Sequence, residues 1–406
     1  MRVGYAVILS LYGICTGHVS YGYPAVVIVP VADAIGAPIQ TFIKSPSAHT
    51  GYDALPHSVA SNSRLACPRM HQLIYNDVVE VIDQQKDEVK VQVFNAFFIT
   101  NASKAPQNTY WMRADALEPL ELYKEYVPIP LNFKNQQSRT MIPIVALMQP
   151  WYDQTVDRAF SAGTRFVINE IDHQGNKIWV WRIHPIKKTI ESIAIPMELC
   201  IVTSSESEQT CINRFITLIR LWAKNNQGCI PYVLGGTSFT QRLPEEPCIP
   251  TPSRYDHMLQ SYVRIHDQGN PKCGLDCSGL ILRAAQLAGI PYYCKNSTTI
   301  IACLQALAQG QKIQTGDLIC LYGHVLIAAD IDTRTVIEAR SYEHGYGKIH
   351  ELPLSAVFQG IATFDDLEQV YFTKKPLDRL DNTGKIRDHF SHCTIVRMAS
   401  AWSLFK

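Results

Sequence analysis

Cys277 combines a nucleophilic side chain with a position at the start of a predicted helix. It lies in the stretch Gly274–Leu280, which reads GLDCSGL, and apolar residues follow it at helical spacing up to Gly289. The positive end of a helix and its free N–H groups favour an anion, so a thiol there ionises more readily than a free one. Because a thiolate is the nucleophile, this placement predicts covalent catalysis; the alternative is a small cysteine of the core.

A thiolate needs a base, and His324 begins a predicted strand that runs to Ala329. If this strand pairs with residues 335–340 through a turn centred on Asp332, His324 and Glu338 become diagonal neighbours on one face. A carboxylate there would fix the imidazole tautomer and stabilise the imidazolium, the third role in a catalytic triad. A shift of one residue in the pairing would put the two side chains on opposite faces. The alternative for Glu338 is a solvated strand residue.

A set of helices followed by strands must position these residues. The predicted helices run over about 205–228, 278–289 and 298–310, and the predicted strands over 317–321, 324–329 and 335–339. Ser205 and Glu208 have capping-box spacing at the start of the first helix. Helices first and antiparallel strands second predict an α+β unit, in which the helices pack on the sheet.

The residues upstream of this unit read as short strands separated by polar turns. The predicted strands of the first part are 25–32, 77–83, 89–93 and 111–120, and those of the second part are 164–168 and 178–182. The turn between the last two, at Asp172 to Gly175, has the composition of a hairpin. Two such runs predict two small β-barrels, over 23–122 and 123–204.

The composition of the 406-residue chain is that of a globular protein, with 47% apolar and 18% charged residues. A net charge of +1 gives no reason to expect a nucleic-acid partner. The twelve cysteines lack the paired spacing of zinc ligands, so neither a metal site nor a cofactor is predicted. Ten of them could form disulfides in an oxidising compartment, or could all be small buried side chains.

The N-terminus has the pattern of a secretory signal peptide over residues 1–22. Arg2 precedes the apolar run Val3–Gly13, and Ser20 and Gly22 suit the positions before a cleavage site. The alternative is a buried first strand. After this segment no stretch has the roughly 18 unbroken apolar residues that a membrane span needs. We therefore expect an exported protein, of the periplasm, the cell envelope or the medium.

Four motifs together resemble the NlpC-type peptidase family. They are Tyr232–Gly236 (YVLGG), Asp276–Gly279 (DCSG), Gly316–Leu318 (GDL) and His324–Val325 (HV), in that family's order and at close to its spacing. The resemblance covers residues 205 to about 370. It implies a papain-like fold and cleavage of the γ-D-glutamyl bond to the diamino acid in peptidoglycan stem peptides, with Cys277 as nucleophile and His324 as base.

The third catalytic residue departs from the family pattern. Relatives usually have a second histidine twelve to fourteen positions after the first, at the end of the next strand, and Glu338 holds that place here. The resemblance therefore implies Glu338 as the orienting group, with His344 and His350 as alternatives.

The same resemblance implies a set of substrate contacts. Tyr232, Asp276 and Ser278 match positions that hold the D-glutamyl portion in relatives. Ser297 matches a family serine, but it could equally cap the third helix.

The upstream regions resemble the bacterial SH3-like domains that precede this peptidase in several relatives. The matching pieces are Leu73–Val78 and Trp111–Leu117 in the first domain, and Gly163–Val167 and Trp179–Arg182 in the second. In relatives the first such domain leans over the active-site groove and restricts substrate length. The predicted organisation is a signal peptide at 1–22, SH3-like domains at 23–122 and 123–204, a peptidase at 205–372 and an extension at 373–406 that has no clear counterpart.

Two other functions are compatible with these residues. A papain-like amidase or acyltransferase would use the same thiolate and base on another amide or ester. A catalytically inactive wall-binding protein would keep the upstream domains but would have lost the chemistry. The sequence does not predict an oligomeric state.

Overall fold

A computed structural model describes residues 22–55, 68–100, 105–133, 143–202, 206–224, 230–240, 253–256, 261–264, 273–341 and 346–404. Residues 1–21 of the predicted signal peptide, Ser205 and His344 lie outside the described residues. Within the described residues, no helix is long and apolar enough to cross a membrane.

The first region is a seven-stranded antiparallel sheet with one short helix. Its elements are β1 (Tyr23–Val27), β2 (Val31–Ile35), α1 (Ala48–Asp53), β3 (Arg69–Ile74), β4 (Val78–Gln85), β5 (Glu88–Val93), β6 (Thr109–Arg113) and β7 (Leu117–Pro119). The strand order is β3–β2–β6–β5–β4–β1–β7. The predicted run 25–32 is divided between β1 and β2, because Pro30 has no N–H to donate to a ladder.

The second region is a five-stranded antiparallel sheet with a separate hairpin. Its strands are β8 (Ile144–Leu147), β9 (Trp151–Asp153), β10 (Arg158–Phe160), β11 (Arg165–Asp172), β12 (Lys177–Ile183), β13 (Ile190–Pro196) and β14 (Cys200–Val202). The order is β13–β12–β11–β8–β14, with β9 and β10 paired on their own. The two regions share a core, since Tyr75 of the first packs among the apolar side chains of the second and donates a 2.8 Å hydrogen bond to the carbonyl of Ile183.

The third region contains the candidate catalytic residues. Its helices are α2 (Glu208–Lys224), α3 (Cys277–Ala288), α4 (Ser297–Cys303), α5 (Leu354–Val357) and α6 (Phe364–Thr373). Its strands are β15 (Thr237–Ser238), β16 (Ser253–Asp256), β17 (Ser261–Arg264), β18 (Gly274–Leu275), β19 (Leu318–Leu321), β20 (His324–Asp330), β21 (Thr335–Arg340), β22 (Lys348–Pro353), β23 (Leu377–Leu380), β24 (Ile386–Phe390) and β25 (Thr394–Val396). The predicted combination of helices with an antiparallel sheet is confirmed.

The main sheet of this region has the order β22–β21–β20–β19–β25 and separates two cores. Side chains alternate between the two faces of a strand. Val325 and Ile327 of β20 pack in the core that contains α3, whereas Leu326 and Ala328 pack in the core that contains α5, α6 and β23. The apolar run of β20 is continuous because both faces of the strand are covered.

The chain after residue 372 completes this sheet. β25 pairs antiparallel with β19, with Ile395 opposite Ile319, and β23 pairs with β24 as a hairpin. Leu377 of the hairpin is buried in the same core as Leu326. The C-terminal segment is therefore part of the folded unit that carries the candidate site.

The helices agree with the sequence in two cases and differ in the third. α2 begins where Ser207 accepts a hydrogen bond from the N–H of Thr210. The predicted capping box of Ser205 and Glu208 is wrong, because Glu208 is itself the first residue of the helix. α3 ends at Gly289 in a left-handed conformation, with φ at 82°. The prediction that the third helix runs to Gly310 is wrong. Its last residue is Cys303, after which the chain extends along β25 and the N–H of Leu307 donates to Ile395.

The start of α3 depends on a close approach between two backbones. A Cβ on Gly279, within the first turn, would overlap the carbonyl oxygen of Gly236. We predict that Gly279→Ala destabilises the fold by about 2–3 kcal/mol, because overpacking against backbone cannot be relieved by a side-chain rotation.

Urea-induced unfolding measures this cost. Gly360→Ala is the control, since a Cβ there meets nothing within 4 Å and only its left-handed φ of 73° is unfavourable, by roughly 1 kcal/mol. Equal losses in the two variants would contradict the proposed close approach.

Candidate active site

Cys277 is the first residue of α3, and its side chain is nearly buried. The helix begins there because Asp276 caps it: the Asp276 side chain accepts a hydrogen bond from the N–H of Gly279 at 2.5 Å. Every residue of α3 except Gln286 is buried, which fixes the axis of the helix in the core. The thiol is thereby held at the positive end of a helix whose side chains are packed on almost all sides.

The carboxylate of Asp276 is a buried junction. Its Oδ1 accepts hydrogen bonds from Gly279, from Ser278 Oγ at 2.9 Å and from Lys295 Nζ at 2.9 Å. Its Oδ2 accepts from the N–H of Gly235 at 3.0 Å and from Lys295 Nζ at 2.7 Å. Asp276 and Ser278, both predicted substrate contacts, therefore lie together in the structure and are hydrogen-bonded to each other. Sequence reasoning missed Lys295.

Tyr232 and Ser297 flank this junction. Tyr232 packs in the same core as Cys277, and its N–H donates to the carbonyl of Gly347 at 2.9 Å. Ser297 is the first residue of α4 and is nearly buried. The alternative that Ser297 caps this helix is wrong, because the cap is Asn296, whose Oδ1 accepts from the N–H of Thr299 at 2.8 Å.

The environment of the Cys277 thiol opposes its ionisation. Burial raises the pKa of Cys277 to about 12, and the charge of Asp276 adds to this rise. The Lys295 ammonium and hydrogen bonds from the backbone N–H groups of Val325 and Ser278 act in the opposite direction. The expectation that this thiol ionises readily is therefore wrong for the resting protein, since burial outweighs the helix end. The hydrogen bond from Val325 places the sulfur against the backbone at the start of β20, one residue after His324 in the sequence.

The predicted strand register is confirmed. β20 and β21 pair with Ile327 opposite Ile337, the register that makes His324 and Glu338 diagonal neighbours. His324 Nε2 lies 2.5 Å from Glu338 Oε2. A carboxylate can only accept here, so Nε2 carries the proton and Nδ1 carries the lone pair of the neutral ring.

Glu338 has no solvent exposure and has two further partners. His350 Nε2 of β22 lies 2.9 Å from its Oε1, and Arg379 Nη2 of β23 contacts its Oε2. Burial alone would raise the pKa of Glu338, but Arg379 and the two histidines hold it well below its usual range. Burial lowers the pKa of His324 to about 4, although Glu338 favours the charged ring. At neutral pH the site therefore contains a neutral imidazole beside an ionised carboxylate.

The geometry can be compared with known proteins. No protein-family model matches the sequence, and no curated protein matches it. Among solved structures the chain is similar to an NlpC/P60 family protein from Bacillus cereus, with a TM-score of 0.51 and 15% identity over 82% of this chain and 94% of that chain. The chain has the NlpC/P60 fold.

Two structures from Trichomonas vaginalis are also similar. NlpC2 is 11% identical over 83% of this chain and 95% of that chain, with a TM-score of 0.30. NlpC1 is 11% identical over 86% of this chain and 94% of that chain, with a TM-score of 0.31. At those TM-scores they add nothing to the fold assignment.

The first region contacts the third region beside the candidate site. Phe97 forms a bridge with Cys294, and its carbonyl accepts from the N–H of Lys295 at 2.8 Å. The N–H of Ile99 donates to Thr299 Oγ1 at 2.7 Å. The loop between β5 and β6 therefore fixes the backbone that carries Lys295 and the start of α4.

The thiol environment gives a test of the link between Cys277 and His324. We predict that His324→Ala slows the labelling of Cys277 by iodoacetamide about tenfold or more at pH 7, because burial keeps the thiol protonated unless a base takes its proton. The lost rate should return only at alkaline pH, where a thiol with a raised pKa ionises by itself. Mass spectrometry of the labelled peptides measures the rate.

Two controls belong to this experiment. Cys303, which is half-buried, serves as an internal reference in the same sample. His389→Ala removes an exposed histidine that also pairs with an acid, Asp378. Unchanged labelling of Cys277 in the His324 variant would separate the thiol from this base.

Proposed function

We propose that this protein is a cysteine peptidase that hydrolyses the γ-D-glutamyl to diamino acid amide bond of peptidoglycan stem peptides. In this proposal Cys277 is the nucleophile, His324 is the base and Glu338 orients the base. One observation carries it: the thiol at the start of α3 lies against the first residues of β20, where Nε2 of His324 is hydrogen-bonded to the buried carboxylate of Glu338. The NlpC/P60 fold and the four sequence motifs support the substrate class.

The mechanism follows from the protonation states of the site. The neutral imidazole takes the thiol proton at Nδ1 as the sulfur of Cys277 attacks the carbonyl carbon of the γ-glutamyl amide. Glu338 then stabilises the imidazolium, and the N-terminus of α3 favours the negative oxygen of the tetrahedral intermediate. His324 gives its proton to the leaving amine, which departs and leaves a thioester. A water that is deprotonated by His324 hydrolyses the thioester and restores the thiol.

Tyr232, Asp276, Ser278 and Ser297 form the proposed substrate-binding set. Asp276 already accepts hydrogen bonds on both oxygens, so we assign it the task of holding Ser278 and Lys295 in place. Ser278 gives its hydroxyl proton to Asp276, so we propose that its oxygen accepts a hydrogen bond from the substrate.

The upstream regions complete the proposal. We infer that they are SH3-like domains and that the first of them limits the length of the peptide, as the contacts of Phe97 and Ile99 beside α4 support. The N-terminal sequence pattern supports export to the periplasm, the cell envelope or the medium, where the proposed substrate is found.

A product assay on purified stem peptides tests the function. We predict that the protein releases a fragment ending in D-glutamate, and that Cys277→Ala lowers turnover by about ten-thousandfold or more, as loss of a covalent nucleophile does. Cys303→Ala is the matched control and should keep most of the activity. Turnover of a different amide or ester that depends on Cys277 would instead indicate the amidase or acyltransferase alternative.

The role of Glu338 can be tested separately. We predict that Glu338→Gln lowers turnover roughly ten- to a thousandfold, about 1.4 to 4 kcal/mol, because the amide removes the charge that stabilises the imidazolium. The pKa of His324 should also fall, since an opposite charge no longer favours the protonated ring. Turnover and histidine titration by NMR measure the two effects.

Asp365→Asn, which changes an exposed acid, is the control. His350→Ala and His344→Ala test the two alternatives for the third residue. A fully active Glu338→Gln protein, with the loss in either histidine variant instead, would assign the orienting role to that histidine.

A further inference from the structure

Arg379 reaches the candidate site from the C-terminal segment. It lies on β23, in the hairpin with β24, and its side chain has no solvent exposure. Its Nη2 contacts Glu338 Oε2, the same oxygen that His324 binds. The guanidinium also lies over the ring of Phe358, at 5.6 Å from its centroid. A residue more than forty positions beyond Glu338 thus touches the group that binds the base.

Other charged and titratable groups surround the carboxylate. His324 and His350 approach it from the two neighbouring strands, and neither is a permanent cation. Arg340, on the same strand as Glu338, also attracts the carboxylate, but its hydrogen bonds go elsewhere: it donates to the carbonyl of Leu380 at 2.7 Å and to Asp388 at 3.2 Å. Tyr346 stacks on His350 and lies beneath Arg340.

Arg379 is therefore the one permanent cation that pairs with Glu338 among the residues the structure describes. Its Nε and Nη1 have no hydrogen-bond partner within the described chain. Without a fixed positive charge, a carboxylate buried this completely would be driven towards its protonated form. The charge of Glu338 consequently depends on Arg379.

The protonation of Glu338 decides the tautomer of His324. An ionised carboxylate only accepts, so it requires the proton of the neutral ring to be on Nε2 and leaves the lone pair on Nδ1. A protonated carboxyl would donate to Nε2 and would force the ring proton onto Nδ1. That ring could no longer take the proton of Cys277 through Nδ1, and a wrong tautomer of this kind costs about ten-thousandfold in a related triad.

We propose that Arg379 is a positioning residue of the active site: by keeping the buried Glu338 ionised, it holds the proton of His324 on Nε2 and leaves Nδ1 free to act on Cys277. The C-terminal segment is then part of the catalytic machinery and not an appendage to it. This inference rests on the proposed function only in its pairing of Cys277 with His324, and it does not depend on the identity of the substrate.

The test compares Arg379→Met with Arg379→Lys in the full chain. Nitrogen-15 NMR of the imidazole rings reports the tautomer of His324, and the rate of iodoacetamide labelling of Cys277 between pH 5 and 9 reports its basicity. We expect Arg379→Met to shift His324 towards the Nδ1-protonated tautomer and to slow labelling at pH 7 about tenfold or more. Arg379→Lys should restore most of both, since it returns the charge. Lys385→Met, which removes an exposed cation from the turn of the same hairpin, is the control and should change neither.

A second variant covers the case in which an unpaired Glu338 prevents folding. Removing one partner of a buried ion pair is strongly destabilising, whereas removing both often is not. The double variant Glu338→Gln/Arg379→Met should therefore fold, as circular dichroism and thermal unfolding would show, and should still label Cys277 slowly. A folded single or double variant with wild-type labelling and an unchanged tautomer would overturn the proposal.

Neither readout needs a peptide substrate. If stem peptides are not cleaved but the Arg379 variants change the tautomer and the labelling rate, the proposed substrate is wrong and the role of Arg379 stands. If stem peptides are cleaved and the variants change neither, the peptidase stands and the role of Arg379 falls.

Discussion

The carboxylate of Glu338 is the constraint on which the position of the proposed base depends. A buried charge is tolerated only when it is paired and hydrogen-bonded, and this one takes its donors from three different strands. His324 comes from β20, His350 from β22 and Arg379 from β23. The strands must therefore be in register for the charge to be satisfied. A displacement of any one of them would expose an uncompensated ion in the core, so the interaction selects one arrangement even where it adds little net stability.

A second buried acid positions the proposed nucleophile, Cys277, in the same way. Asp276 ties together the first turn of α3, the backbone at Gly235 and the side chain of Lys295. Lys295 is held in turn by the first region, through the carbonyl of Phe97. The position of the thiol is thus coupled to a sheet that lies far upstream in the sequence. Asp276 therefore positions the proposed nucleophile, and Glu338 positions the proposed base.

Sequence reasoning succeeded where the signal was local. The register of β20 and β21 followed from the turn at Asp332 and from the alternation of side chains, and it brought His324 and Glu338 together correctly. The apolar spacing after Cys277, with a glycine at its end, was sufficient for α3. In both cases the residues that decide the structure are within about fifteen positions of one another.

The features that sequence reasoning missed depend on contacts between residues that are far apart in the sequence. Arg379 lies in the short strand Leu377–Leu380, and only the fold shows that this hairpin packs against the face of the sheet that carries Glu338. Lys295 precedes a helix by two residues, and nothing in its neighbourhood indicates that it pairs with Asp276. The third helix ended early because pairing with β25, ninety residues later, outweighed its local preference.

Burial also explains why the Cys277 thiol is protonated in the resting protein, although its position at the start of a helix predicts a thiolate. A thiolate–imidazolium pair would place two new charges in a region from which water is largely excluded, whereas the neutral pair carries neither penalty. The helix end, Lys295 and the backbone N–H of Val325 reduce the cost of the thiolate without removing it. Glu338 reduces the cost of the imidazolium, while Arg379 limits how far it does so. In the proposed mechanism the proton moves from sulfur to nitrogen when the carbonyl carbon of the substrate is in place to receive the sulfur's electrons. The charges of Glu338 and Arg379 set the free-energy cost of this proton transfer. Because the site is buried, we expect the transfer to occur only when substrate is bound.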